Sequence, residues 1–252
     1  MSNYKLPHSR MLELRRWNGP AVYNGWEAVS KRDRLESLNI NREGITDFAP
    51  QLGPMVGYAV TVEYYASSKK ISDENPDAYN KMFAYFASVP GPKIIFAKDL
   101  DAPDHRGAVF GECVANACRT LGCVGLITDG WVRDVDEACY ANFKMMAKFL
   151  SVGKGYPCPL RLGNEIEILG AKIKPGLVVH ADTYGFVAML EEETEHLLES
   201  VQFLDSNECN NMLSVMKESL GKPMDEMVEL IAKTNAKQFG EAAKFRNRIL
   251  GL

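Results

Sequence analysis

The sequence lacks most of the signatures by which enzymes of common classes are read. No G-x-x-x-x-G-K-[ST] loop occurs and no G-x-G-x-x-G follows a strand-like run, which argues against nucleotide hydrolysis and dinucleotide cofactors. Histidine is scarce: His8, His105, His180 and His196 form no H-E-x-x-H pair, and a histidine-built zinc site is disfavoured. No G-x-S-x-G nucleophile elbow is present. The six cysteines include no C-x-x-C pair, and Cys113, Cys118 and Cys123 step by five, which scatters them around a helix; they read as reduced, packed thiols. Neither charge sign dominates. A formal net charge of -4 provides no field for a nucleic-acid backbone or an anionic membrane surface. No run approaches the roughly 18 apolar residues of a membrane span, and MSNYKLPHSR has no apolar segment of the signal-peptide kind. The expectation is a soluble, cytoplasmic protein with neither nucleic-acid nor membrane partners.

What is present suits a buried core. Hydrophobic residues make up 46% of 252, enough for one large domain or a domain with an appendage. A helix is expected over Ser9 to Trp17, stopped by Asn18-Gly19-Pro20, then loop to Pro54 with one helix near Trp26 to Leu38. Met55 to Tyr64 reads as a strand that another backbone approaches closely at Gly57. After a polar turn, Pro76 opens a helix to Ser88 with Tyr79, Met82, Phe83 and Phe86 at helical spacing, and 93–97 reads as a buried strand. The centre alternates in the α/β manner: loop 98–110, helix 112–121, strand 123–128, then a helix to about Asn142. Short strands follow at 147–152, 165–169, 177–180 and 186–190, punctuated by Gly and Pro as in a small barrel or sandwich. From Glu191 the pattern is helical, with a break at Gly221-Lys222-Pro223. An α/β domain over 1–203 and a C-terminal helical extension over 204–252 are expected.

Charge concentrates in TDGWVRDVDEA, Thr128 to Ala138, directly after the apolar run CVGLI. Locally, Asp134 and Glu137 resemble a capping box, with Arg133 as a surface partner. A second helix start, Gly111-Glu112-Cys113-Val114, offers free amides suited to a carboxylate or phosphate. Twenty residues separate Glu112 from Arg133, room for a helix, a turn and a strand, so both can reach the same end of a sheet. Acids, an arginine and a helix start gathered there could surround a hard divalent cation and an anionic substrate. Cys113 beside Glu112 reads as an inert small residue, and Asp182 as a turn residue.

The arrangement G-E-x20-R-D-x2-E (Gly111, Glu112, Arg133, Asp134, Glu137), with LITDGWVRD, the GYAVTV of 57–62, Pro175-Gly176 and ADTYGFV over 181–187, resembles a known family. It is similar to the divalent-metal-dependent 4-hydroxy-4-methyl-2-oxoglutarate and 4-carboxy-4-hydroxy-2-oxoadipate aldolases, which share a fold with the regulator of ribonuclease activity A. The resemblance covers residues 10 to about 190. It implies a β-barrel-like, swivelling α-β-β sandwich core with flanking helices, and a homotrimer or homohexamer with active sites at subunit interfaces. It also implies retro-aldol cleavage of a 4-hydroxy-2-oxo acid to pyruvate, with oxaloacetate decarboxylation alongside. On the matching positions, Asp134 is the ligand of Mg2+ or Mn2+, Arg133 binds the keto oxygen, and Glu112 holds metal-bound water. Gly111 and the amides of Cys113 and Val114 receive the substrate carboxylate. The alternative is a non-catalytic regulator acting through protein contacts, a type that usually lacks the aspartate after the arginine. Glu112 stands where Asp is commoner, Asn24 where Asp is usual and Leu177 where Asp follows Pro-Gly; these departures bear on the substrate more than on the reaction class.

Overall fold

The computed structural model describes residues 5–252. The chain packs as two compact units, one of residues up to Gly19 together with Ser37–Glu191, the other of Pro20–Glu36 and Glu192–Leu252.

The first unit is a mixed α/β body around a nearly closed, barrel-like sheet, as expected from the sequence. Its centre is four strands in parallel, β2 (Met55–Tyr65), β3 (Lys93–Asp99), β5 (Cys123–Val132) and β6 (Lys144–Leu150). The two-residue β1 (Thr46–Asp47) borders β6; on the other side β10 (Val178–Asp182) and β11 (Gly185–Met189) continue the sheet antiparallel. Short β4 (Ala108–Phe110) runs parallel to β5, and β7 (Cys158–Leu162) pairs antiparallel with β2. A separate hairpin joins β8 (Ile166–Ile168) and β9 (Ala171–Ile173).

The central strands are buried on both faces, which is why they read as nearly unbroken apolar runs. Alternate side chains feed two cores. Val60, Val62, Tyr64, Ile95 and Ala97 pack with Phe86, Phe110 and Phe143 on one face, while Ala59, Ile94, Phe96 and Ile127 pack with Val179 and Phe186 on the other. A side chain at Gly57 would stand 2.8 Å from the Pro92 carbonyl, the close approach its glycine suggested.

Several elements depart from expectation. Gly19-Pro20 opens a helix instead of ending one: α1 spans His8–Leu14, and α2 is Gly19–Val29, earlier than the helix expected at 26–38. Proline suits a first turn, and the Gly19 amide donates to Asp182 Oδ2 at 2.7 Å. The polar stretch read as a turn contains α3 (Lys69–Glu74), capped by the Ser68 hydroxyl, which accepts from the Ile71 amide. The next helix, α4, is Ala78–Ser88. The strand expected to stop at Thr128 runs on to Val132, so much of TDGWVRDVDEA is sheet. β7 was hidden by Pro157 and Pro159, since proline weakens any strand pattern.

The helical unit holds α7 (Leu197–Glu208), α8 (Ser214–Glu218) and α9 (Met224–Leu250), with a π turn over Cys209–Leu213. The expected boundary between 203 and 204 falls inside α7. Packing explains the earlier division at Glu192: the Ser200 hydroxyl donates to the Gly25 carbonyl at 3.0 Å, Phe203 stacks on Phe245 at 4.3 Å, and Arg246 donates to the Glu27 carbonyl. Among the described residues, no helix is long and apolar enough to cross a membrane.

Lys144 and Asp47 form an ion pair at 2.6 Å with both side chains 2% exposed, and the ammonium also donates to the Ala49 carbonyl. Breaking such a pair from one side strands a buried charge, at a cost of about 3–5 kcal/mol. Asp47→Ala should therefore lower the unfolding free energy from urea titration by that much, and adding Lys144→Met should restore most of it. A single variant as stable as the parent would remove this pair from the stabilising set.

Candidate active site

The cleft begins with two parallel strands. β4 leads through Gly111 into α5 (Glu112–Thr120), and β5 leads through Arg133 and Asp134 into α6 (Val135–Tyr140). Because β4 and β5 pair, the two crossings emerge side by side, and the Arg133 amide donates to the Phe110 carbonyl at 3.1 Å. Glu112 and Arg133 do meet at one end of the sheet.

Asp134 sits at the N-cap of α6, yet the capping box expected there does not form. Its backbone is left-handed (φ 55°, ψ 41°), and its side chain makes no cap bond to α6. The carboxylate serves the other helix: Oδ2 accepts the Glu112 amide at 3.2 Å, and Arg133 Nε donates to both oxygens at 3.1 Å. Gly111 makes this contact sterically feasible. A Cβ there would lie 2.5 Å from Asp134 Oδ2 and 3.2 Å from Arg133 Cγ. Arg133 also reaches the Val152 carbonyl through Nη1 at 3.2 Å, tying the motif to the segment after β6.

In α5 the Ala115 amide bonds the Gly111 carbonyl, so the amides of Cys113 and Val114 lie ahead of the helical ladder. With Glu112 occupied by Asp134, those two are the donors the helix start can offer a carboxylate, aided by the helix dipole.

All six residues singled out from the sequence, Gly111, Glu112, Cys113, Val114, Arg133 and Asp134, line one cleft of about 620 Å³. Sequence reasoning missed the rest of its wall. Tyr79 and Phe83 of α4 show in the sequence only as apolar residues at helical spacing, and Lys154 and Tyr156 stand in a Gly-rich segment with no motif to flag them. The Tyr156 amide donates to the Ala66 carbonyl at 2.8 Å, which fixes that segment. The Tyr79 hydroxyl donates to the Val109 carbonyl at 3.4 Å, and burial pushes its pKa well up, so it stays neutral.

Oxygen donors here are the carboxylates of Asp134 and Glu112. Among the described residues, no three His, Cys, Asp or Glu side chains converge as a metal cage. Two carboxylates fit an ion such as magnesium, which retains several waters and takes one or two protein ligands. A carboxylate has about four acceptor positions, so the bonds from Glu112 and Arg133 leave Asp134 coordinating capacity.

Behind the motif, a buried polar chain holds the loop between β3 and β4. The Asp99 amide donates to Asp129 Oδ1 at 2.8 Å, the Asp99 carboxylate pairs with His105 Nδ1 at 2.6 Å, and Asp101 accepts from the Ala66 amide at 2.7 Å. Burial is the main reason the Asp129 carboxyl is pushed up to about 6, with the Asp99 charge adding to it against the opposing bond from the Asp99 amide.

Known proteins share part of this sequence and this fold. A family model described as RraA-like, Aldolase/RraA, matches residues 28–188. An uncharacterized protein of Methanocaldococcus jannaschii is 25% identical over 117 residues, 46% of this chain and 56% of its own length. A protein of Halalkalibacterium halodurans named "Putative 4-hydroxy-4-methyl-2-oxoglutarate aldolase" is 23% identical over 168 residues, 64% of this chain and 74% of its own. Among solved structures, an uncharacterized protein of Pseudomonas syringae aligns with TM-score 0.67 at 16% identity, covering 90% of this chain and 95% of that one. Streptomyces coelicolor RraAS2, titled an unusual member of the RNase ES inhibitor RraA protein family, aligns with TM-score 0.62 at 15% identity, covering 80% and 96%. The structural likenesses establish a shared fold.

Asp129 supplies a test by pH. An ordinary aspartate titrates near 3.8 and the folded one near 6, so between these values the folded state holds the extra proton. Stability from this group therefore falls as pH rises through that window, by roughly 3 kcal/mol. Asp129→Asn should flatten urea stability between pH 4 and 6 and be the more stable protein at pH 7. A variant no more stable at pH 7 would mean that ionised Asp129 carries no such penalty.

Proposed function

Because the chain belongs to the RraA-like Aldolase/RraA family, we propose that it is a divalent-metal-dependent lyase that cleaves a 4-hydroxy-2-oxo acid to pyruvate, with oxaloacetate decarboxylation as the related reaction. The observation that carries this reading is the seating of the Arg133–Asp134 pair against the start of α5 beside Glu112, in one cleft.

Each residue has a chemical task. The amides of Cys113 and Val114 bind the substrate carboxylate and thereby set the direction of the chain. The Arg133 guanidinium binds the oxygen at C2. When the C3–C4 bond breaks, its electron pair moves toward that oxygen as an enolate, and a cation aimed there stabilises the transition state more than the ground state. The C4 hydroxyl loses its proton and becomes the carbonyl of the second product. Glu112 orients water at the reacting end. Asp134 would hold magnesium or manganese, with Glu112 holding the water around the ion, and the ion would supply Lewis-acid polarisation of the 2-oxo acid. Asp134 also holds Arg133 in register through the contact at 3.1 Å.

The same reading includes assembly as a homotrimer or homohexamer with the cleft at subunit interfaces. Exposed Phe149, Leu150, Val152 and Tyr156 in and around the segment that Arg133 reaches support it. Six free thiols support a cytoplasmic setting. A non-catalytic regulator of the ribonuclease-inhibitor type is the second reading, motivated by the fold shared with the Streptomyces protein. It has no use for a carboxylate and an arginine held together at a helix start.

With magnesium or manganese, the protein should release pyruvate from 4-hydroxy-4-methyl-2-oxoglutarate or oxaloacetate, and EDTA should abolish the release. Arg133→Lys should lower kcat by about 10²–10³-fold, because an ammonium cannot reproduce the guanidinium fork. Equal rates for wild type and Asp134→Ala across a panel of oxo acids would end the lyase reading, and recovery of a ribonuclease or helicase in a pull-down would then favour the regulator.

A further inference from the structure

The cleft is larger than the chemistry assigned to it. At about 620 Å³ it lies within the range, roughly 300–1,000 Å³, that encloses a drug-sized ligand, well beyond a pyruvyl unit. The polar groups given a task in that chemistry cluster where α5 begins, with Ser72 and Lys154 elsewhere in the cleft lining. Farther along α5, Val114 and Ala117 stand one turn apart on one face; Tyr79 and Phe83 likewise share a face of α4, and the two helices are neighbours. All four line the cleft.

This wall is half-covered. Tyr79, Phe83 and Val114 are partly buried hydrophobics packed against the core yet open to the cleft. The Tyr79 hydroxyl is already bonded to the Val109 carbonyl, which leaves its ring as the cleft surface. Burying apolar groups here is favourable because it removes apolar surface from water, whereas a carboxylate against Tyr79, Phe83, Val114 and Ala117 would lose hydration without a partner on that wall.

Resting on the lyase reading above, we infer that the substrate is a 4-hydroxy-2-oxo acid whose C4 substituent is apolar, an alkyl or aryl group lying in the groove between α4 and α5. Breaking C3–C4 then releases pyruvate and an apolar aldehyde or ketone, with the C4 hydroxyl proton lost and C3 reprotonated, so no oxidant or reductant enters. Phe83 and Ala117 are the residues that set specificity. Lys154 and Ser72, which also line the cleft, are the polar groups that a second carboxylate would use instead.

The test is a steady-state comparison in magnesium of 4-hydroxy-2-oxo-4-phenylbutanoate with 4-hydroxy-4-methyl-2-oxoglutarate. The phenyl substrate should have at least a tenfold higher kcat/KM. Phe83→Ala, and independently Ala117→Glu, should reduce the phenyl-to-dicarboxylate ratio about tenfold or more, chiefly through KM, the size expected for losing a hydrophobic pocket contact. Using the ratio keeps the result meaningful if a variant loses some folded protein. Preference for the dicarboxylate, lost in Lys154→Met, would overturn the inference and leave the lyase reading standing. Pyruvate from neither substrate would bring down both.

Discussion

The Asp134 carboxylate joins two crossings of the chain, and the local architecture is arranged around that contact. It accepts the first amide of α5 and the guanidinium of its own neighbour. To do so the backbone must be left-handed at a non-glycine residue, an arrangement that aspartate tolerates better than most. Residue 111 must lack a side chain, and β4 must run parallel to β5 so that the two loops leave the sheet together. Each requirement is local, but none is useful without the others. Uncommon backbone conformations persist where surrounding structure over-determines them, and such places are enriched in functional sites.

The sheet behind this contact supplies rigidity. Strands buried on both faces leave little room for the motif to drift, because packing at interior density transmits any shift to neighbours. The polar chain of Asp129, Asp99 and His105 adds directional bonds where apolar packing alone would leave the β3–β4 loop free to slide. It does so at an electrostatic cost, since Asp129 is held where its charge is poorly solvated. A loop held in this way trades stability for position.

Much of this was legible in the sequence. The apolar runs of β2, β3 and β5 announced themselves because strands buried on both faces need no polar alternation. Gly111, Glu112, Arg133 and Asp134 could be paired because the interval between them matches a helix, a turn and a strand. Other features were illegible for physical reasons. Gly19-Pro20 is compatible with either end of a helix, and what decides is Asp182, distant in the chain. The direction of the Asp134 side chain depends on a backbone angle that no spacing reveals, so a capping box was the natural expectation. Tyr79 and Phe83 have the periodicity of any core helix; only the cleft beside them shows that part of that face is open. Lys154 belongs to no motif and is found only by proximity.

The two-part composition of the helical unit has a consequence for how the protein is made. α2 leaves the ribosome before the strands of the sheet, but the residues that complete its unit, Glu192–Leu252, follow the last of those strands. Until then the face of α2 that will meet Ser200 has no native cover, while the α/β unit already has nearly all its strands. The sheet can thus mature first, whereas the helical unit waits for 192–252 to emerge. Over that interval α2 lacks its native cover from Ser200 and Val201, and it is a segment that a chaperone can shield.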